Sequence, residues 1–217
     1  MAKSGTKAAV GRPASTGAGQ TREALVRGAV EALKEEGFAG ASAREIARRA
    51  GCNQGLVFYH FGSVNNLLLA ALDHVSATRR VRYQAAVAQA EGIGGLLDAA
   101  VSVFEEDLDA GHIAVLAEMI AGASAAPGLA PEVAARLAPW RTFAADAVRG
   151  VVAESPLAGL VEPDVAAHGI VALYLGLEML AHLDGDRAAA LALFDRARLL
   201  AGLLEMVAGP ATPKEGP

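Results

Sequence analysis

The sequence predicts an all-α protein with a small helix-turn-helix unit near its N-terminal end and a larger helical body behind it. Three observations carry this. Ala, Leu, Glu and Arg are abundant while aromatic residues make up only 5% of the 217 positions, a mixture that favours helix over strand. Apolar residues recur at helical spacing in one segment after another, with no repeat and no convincing alternating run. Two short helices with strong start signals lie close together between residues 42 and 61.

Taken in order, residues 1–19 are rich in Gly, Ala, Ser and Thr with Pro13, and read as a flexible basic arm. A helix follows, with Leu25, Ala29, Ala32 and Leu33 on one face, Val26 and Val30 beside it, and Gly37 ending it. Ser42-Ala43-Arg44-Glu45 reads as a capping box, the Ser42 hydroxyl serving the Glu45 amide and the Glu45 side chain returning to the Ser42 amide. Ala43, Ile46, Ala47 and Ala50 form the buried stripe of that short helix, and Gly51 supplies a left-handed exit. Asn53 caps a third helix from Gln54 to about His60. Its Val57 and Phe61 face inward, leaving Gln54, Gly55, Phe58 and Tyr59 on the outer face. Two short helices joined by such a turn form a helix-turn-helix.

Ser63 caps the next helix, whose apolar side is Leu67, Leu68, Ala71, Leu72 and Val75 and which runs to about Ala90. Gly92-Ile93-Gly94-Gly95 reads as a break. Leu97, Val101, Phe104 and Leu108 define a further helix ending near Gly111, and residues 112–124 another, with Leu116, Met119 and Ile120 inward. Beyond Ala-Pro-Gly at 126–128, Val133, Leu137, Trp140, Ala144, Val148 and Val151 draw one long stripe closed by Ser155-Pro156. Pro163 suits the first position of a helix over 163–183 that is apolar on nearly every side. Such a helix must be buried all round, inside one subunit or between two. The last helix spans roughly 187–207 and a Gly/Pro-rich tail covers 209–217.

With 53% hydrophobic and 20% charged residues the chain can bury a substantial core. Cys52 is the lone cysteine, which excludes an internal disulfide framework. In its turn beside the third helix it reads as a small buried hydrophobe. Residues 1–19 carry Lys3, Lys7 and Arg12 without the apolar stretch of a secretory signal. The most apolar window, Val165–Leu177, falls short of the ~18 residues of a membrane span, so a soluble, cytoplasmic protein is expected. The net charge of −5 divides unevenly: residues 1–60 hold nine basic and five acidic side chains (+4), the remainder ten and nineteen (−9). A mildly basic head on an acidic body suggests that only the head meets a polyanion.

Ala-Arg-Glu-Ile-Ala-Arg-Arg-Ala-Gly at 43–51, then Gly55, then Tyr59-His60-Phe61-Gly62-Ser63 resembles the signature of the tetracycline-repressor (TetR) family over about residues 20–72. The resemblance implies nine helices: three in a DNA-binding domain, here 20–62, and six in an effector-binding and dimerisation domain, here 63–208. It implies a homodimer through the last two helices (163–183 and 187–207), a double-stranded DNA operator as partner, and release from a palindromic site by a small apolar or amphipathic effector. The basic arm resembles arms that reach into the minor groove. Gln54 and Gly55 match positions that approach base edges, and Phe58 one usually held by Tyr, which keeps a ring for a thymine methyl. Tyr59 and His60 match phosphate contacts, as do Ser42 and Arg44 at the start of the second helix. Leu56 stands where Thr is frequent, and Val64-Asn65-Asn66 replaces Lys-Glu-Glu. Losing that Lys removes a phosphate contact per subunit and flattens the salt dependence by ~1 unit.

For the effector pocket the plausible linings are Phe104, His112, Met119, Trp140, Phe143, Tyr174 and Glu178. His168 and His182 read as helix-surface or dimer-seam residues rather than metal ligands, and Arg79, Arg80 and Arg82 as a solvated face. No metal or cofactor is expected, and catalytic signatures are absent: no Gly-x-Ser-x-Gly elbow, no phosphate loop with Lys, no His-Glu-x-x-His and no Cys-x-x-Cys. Two rival readings stay open at this point. One is a regulator whose pocket is filled by its own side chains; the other is a helical carrier that has lost DNA binding.

Overall fold

The computed structural model of the chain describes residues 14–126, 128–153 and 159–208, and every regular element among them is a helix. Helix α1 (Ala14–Gly40) begins within the stretch read as a flexible arm, so that residues 14–19 are helical instead. Thr21 Oγ1 donates to the Gly17 carbonyl at 2.9 Å in that first part. Lys3, Lys7 and Arg12, and the tail expected over 209–217, lie outside the described residues. Near its end α1 breaks at Gly37, whose φ of 70° and ψ of −179° interrupt the helical path. A side chain would strain that backbone, which is why glycine stands there.

Helices α2 (Ala43–Arg49) and α3 (Gly55–Phe61) follow. Ser42 Oγ accepts from the Glu45 amide at 3.3 Å, the first half of the expected capping box. The reciprocal half does not form. The Glu45 carboxylate is instead taken by Arg48 Nε at 2.9 Å and Arg49 Nε at 2.6 Å, and charge-assisted bonds outcompete a bond to a neutral amide. Gly51 makes the turn with φ of 64°. Asn53 Oδ1 accepts from the Gly55 amide at 2.7 Å and so starts α3.

The body comprises α4 (Val64–Val87), α5 (Gly92–Asp109), α6 (His112–Ala125), α7 (Leu129–Ala135), α8 (Ala138–Val152), α9 (Pro163–Asp184) and α10 (Ala188–Ala208). Ser63 Oγ accepts from the Asn66 amide at 3.1 Å, and Asn66 Nδ2 reaches back to the Phe61 carbonyl at 2.9 Å, tying α4 to α3. The break falls at residues 88–92, where Gly92 has a φ of 64°, and the rest of the glycine run is the first turn of α5. The stripe read as one helix from Pro131 to Val151 is divided at Arg136–Leu137. Pro139 offers no N–H to continue the ladder from α7 and sits instead in the first turn of α8. With α7 and α8 taken as one broken helix, the described residues form six helices in the body and nine in all, as the family resemblance implies.

A main core runs from Leu25, Ala29 and Leu33 through Ile46, Val57, Leu67 and Leu68 to Ile113, Val115 and Met119, and so joins head to body. The junction is also tied by polar contacts. The Phe38 amide, freed by the break at Gly37, donates to Glu118 Oε2 at 2.8 Å, and Lys34 Nζ donates to the Ala110 carbonyl at 2.6 Å. At Gly122 the α6 backbone approaches the Phe38 ring so closely that a Cβ there would lie 2.2 Å from Cδ2. Ile120, expected inward, is 46% exposed because α6 turns only its Leu116–Met119 side to the core.

A second cluster joins Phe104 of α5, Ala181 of α9, and Ala190 and Phe194 of α10. Helix α9 is not buried all round within one chain: Val165, Ile170, Leu173, Leu180 and Leu183 are exposed, as are Leu199, Leu200, Leu203 and Met206 on α10. At 22 residues α9 is long and apolar enough by length and composition to cross a membrane, more than the sequence window suggested. It nevertheless carries Glu178, fully buried within the body.

Candidate nucleic-acid interface and ligand cavity

In the head, α2 and the buried Val57 hold a two-turn helix too short to persist alone. Its outer face presents Gln54, Gly55, Phe58 and Tyr59, with Phe58 48% and Tyr59 80% exposed. Large apolar or aromatic groups left in water on a fixed helix face mark a surface that meets something. Ser42 and Arg44 are exposed at the start of α2, and His60 is half-buried, its ring edge-on to Tyr59 at 5.0 Å and to Phe61 at 6.4 Å. Of the seven residues singled out in the head, six are exposed and His60 is half-buried.

It also sorts the head's cations. Arg49 is pinned by Glu35 at 2.7 Å, Glu36 at 3.0 Å and Glu45, and Arg48 is held by Glu45. Hydrogen bonds from Arg48 and Arg49 hold the Glu45 carboxyl down at about 2. Arg22 lies over the Phe61 ring at 5.0 Å. Arg44 makes no ion pair among the described residues and remains available to an anion. Burial pushes the Cys52 thiol up, which disfavours the reactive thiolate and leaves it a packing residue.

In the body a cavity of about 460 Å3 opens between α4, α5, α8 and α9, within the range of small-molecule sites. Of the expected linings, His112, Trp140, Phe143 and Tyr174 are on its wall. Phe104, Met119 and Glu178 are not. Phe104 packs edge-on against Tyr174 at 5.6 Å and Phe194 at 5.5 Å in the second cluster. Met119 belongs to the main core, and Glu178 is sealed behind the wall. Leu72, Val75, Leu97, Val148 and Ile170 make most of the remaining surface apolar.

A charged cluster sits at the wall, with Arg79 and His112 on it and Asp107 and Glu178 behind. Arg79, read from the sequence as solvated, is only 6% exposed. Its Nε donates to Asp107 Oδ2 at 2.7 Å and its Nη2 to Glu178 Oε1 at 2.6 Å, and its guanidinium lies 5.1 Å from the Trp140 ring centroid. Asp107 Oδ1 faces His112 Nδ1 at 2.9 Å. Burial pushes the Glu178 carboxyl up to about 7 against the opposing pull of Arg79. Burial likewise raises the Tyr83 and Tyr174 phenols, so both stay protonated. The register held the missed signal: Leu72, Val75, Arg79 and Tyr83 continue one face of α4 at spacings of three and four. The other cation on the wall, Arg136, is engaged by Asp73 at 2.9 Å and Glu132 at 3.0 Å. His168 and His182 are exposed on α9.

Residues 25–71, which hold α2, α3 and their flanks, match the family described as bacterial regulatory proteins, tetR family. An HTH-type transcriptional repressor of Mycobacterium tuberculosis is 38% identical over 87 residues, 40% of this chain and 46% of that protein. The chain thus aligns with about half the length of the curated relatives it matches. Two solved structures resemble the whole fold. A TetR-family transcriptional regulator from Cytophaga hutchinsonii superposes with a TM-score of 0.72 at 16% identity, covering 87% of this chain and 96% of that one. A TetR transcriptional regulator from Chloroflexus aurantiacus gives 0.70 at 22%, covering 85% and 95%. At these identities the structural likeness speaks for fold alone.

Proposed function

The chain belongs to the tetR family of bacterial regulatory proteins, and from that premise we propose that it is a cytoplasmic DNA-binding repressor released by a small apolar or amphipathic effector. The single observation that carries the DNA-binding part is the exposed face of α3, where Gln54, Gly55, Phe58 and Tyr59 stand together beyond a helix anchored by Val57. Gln54 pairs with a base edge, Gly55 allows close approach, and Phe58 meets a thymine methyl. Tyr59, His60, Ser42 and Arg44 position the head on the phosphates.

The functional unit is a homodimer. The exposed leucines of α9 and α10 form an apolar surface that water should not cover, and pairing those helices about a two-fold covers it. Two recognition helices then enter successive major grooves of a palindromic site about one turn apart. Residues 20–62 act as the reading head and 63–208 as the sensing and dimerising body.

Effector release follows from the cavity lying against α4, the helix that joins the two. A ligand that prefers a body in which α4 is tilted spaces the heads wrongly for DNA, and ~1–3 kcal/mol of coupling weakens operator binding 5–150-fold. An open cavity, rather than one filled by the protein's own side chains, supports this reading. The test is selection of bound duplexes from a random pool by the purified protein, then affinity for the selected site at two salt concentrations. A palindromic consensus whose binding weakens with salt is expected; binding indifferent to sequence would overturn the reading.

A further inference from the structure

The cavity wall is apolar almost throughout, and its two arginines are already committed. Arg79 is shared between Asp107 and Glu178, and Arg136 between Asp73 and Glu132. A ligand carboxylate entering here would find no unpaired guanidinium, and two buried carboxylates would stand behind the wall. Burying an uncompensated anion is strongly unfavourable.

His112 offers something different. Its Nδ1 lies 2.9 Å from Asp107 Oδ1, and Asp107 is fully buried and paired with Arg79. Facing a carboxylate that can only accept, Nδ1 carries the proton, and in the neutral ring the lone pair is then on Nε2. Nε2 has no partner among the described residues, and the side chain, 12% exposed, is part of the cavity wall. With the ring neutral, the Asp107–His112 pair therefore presents a fixed hydrogen-bond acceptor on a wall that is otherwise largely apolar.

We propose that the cavity takes an uncharged apolar molecule bearing one hydroxyl, an alcohol or phenol, whose O–H donates to His112 Nε2, and that it rejects carboxylic acids of the same skeleton. Asp107 is a positioning residue that fixes the imidazole tautomer. This assignment rests on the reading of the cavity as an effector site. Ligand binding and operator release are therefore measured separately.

Trp140, the only tryptophan of the chain, lines the cavity and reports on its occupancy. The experiment titrates the full-length protein at pH 8 with 1-decanol, its methyl ether and decanoate, following Trp140 fluorescence. Decanol is expected to bind at least tenfold more tightly than either of the others. In His112→Phe the preference of alcohol over ether should vanish while the ether binds as before. Asp107→Asn, which lets an amide donate to Nδ1 and moves the ring proton to Nε2, should abolish the same preference, with circular dichroism confirming that the variant is folded. Decanoate binding as tightly as decanol, an unchanged alcohol-to-ether ratio in His112→Phe, or binding of none of the three would overturn the assignment. Decanol that binds through His112 yet leaves affinity for the selected DNA unchanged would overturn the effector mechanism instead and leave the cavity assignment standing.

Discussion

Arg79 on α4 and Glu178 on α9 meet at 2.6 Å inside the body, ninety-nine positions apart in the chain. Both side chains are withdrawn from water, and Asp107 on α5 completes the group. One guanidinium thus fastens the helix leading from the head to two helices of the body.

Removing that guanidinium leaves Glu178 buried without its partner and Asp107 with His112 alone. Arg79→Leu is expected to lower unfolding stability by about 3–5 kcal/mol. Urea unfolding followed by circular dichroism measures it, and a loss below about 1 kcal/mol would mean that relaxation or water satisfies the carboxylates.

Glu178 makes stability depend on pH. Its folded-state pKa, about 7, lies above the ordinary 4.5, so the folded protein holds more protons between those values. Stability from this group is present below the ordinary value and declines as pH rises toward 7. The melting temperature of the native protein relative to Glu178→Gln should therefore fall from pH 5 to about pH 7 and level off above it. A constant difference would show that Glu178 titrates normally.

At the head, Gln54→Ala should weaken binding to the selected site by about 1–3 kcal/mol and relax the sequence requirement at one position of each half-site. Arg44→Ala should weaken binding to all sequences alike and reduce the salt slope by ~1. Fluorescence anisotropy on matched and mismatched duplexes separates the two; the same loss profile for both variants would remove Gln54 from the base edge.

Leu180 and Leu200 are 60% and 62% exposed in the single chain. If their helices pair across a two-fold, Leu180→Glu combined with Leu200→Glu places like charges in the seam, and dimer dissociation should rise at least about a hundredfold. Light scattering across a dilution series reads it out, and an unchanged dimer would place the interface elsewhere.

Gly122→Ala drives a methyl into the Phe38 ring. Overpacking of the α6 backbone against that partly buried ring should cost about 1–3 kcal/mol of stability and lower operator affinity as well. A thermal melt indistinguishable from that of the native protein would show that the ring moves aside freely.

The head was legible because its signals are local. Ser42, Gly51, Asn53 and Ser63 each set a boundary through a bond or a φ angle within a few residues, and the buried stripe of α2 fell where the spacing placed it. The cavity was legible only in part. His112, Trp140, Phe143 and Tyr174 reached its wall, whereas Phe104, Met119 and Glu178 turned away from it. An aromatic at helical spacing shows that it is buried but not against what, since that depends on helix packing between distant segments. Arg79 was misread for the same reason, because its partners lie 28 and 99 positions away. Pro139 divided a helix whose apolar stripe gave no sign of a break, since periodicity records side chains and not the missing N–H.

One helix touches both the cavity and the junction between head and body. Helix α6 opens with His112 on the cavity wall, holds the Phe38 amide through Glu118 six residues on, and presses Gly122 against the Phe38 ring four residues beyond. At a rise of about 1.5 Å per residue these points span roughly 15 Å of a single stiff rod. A rod does not dissipate displacement along its length. A shift of His112 along the axis therefore arrives at Phe38 undiminished, and the close fit there leaves no slack to absorb it.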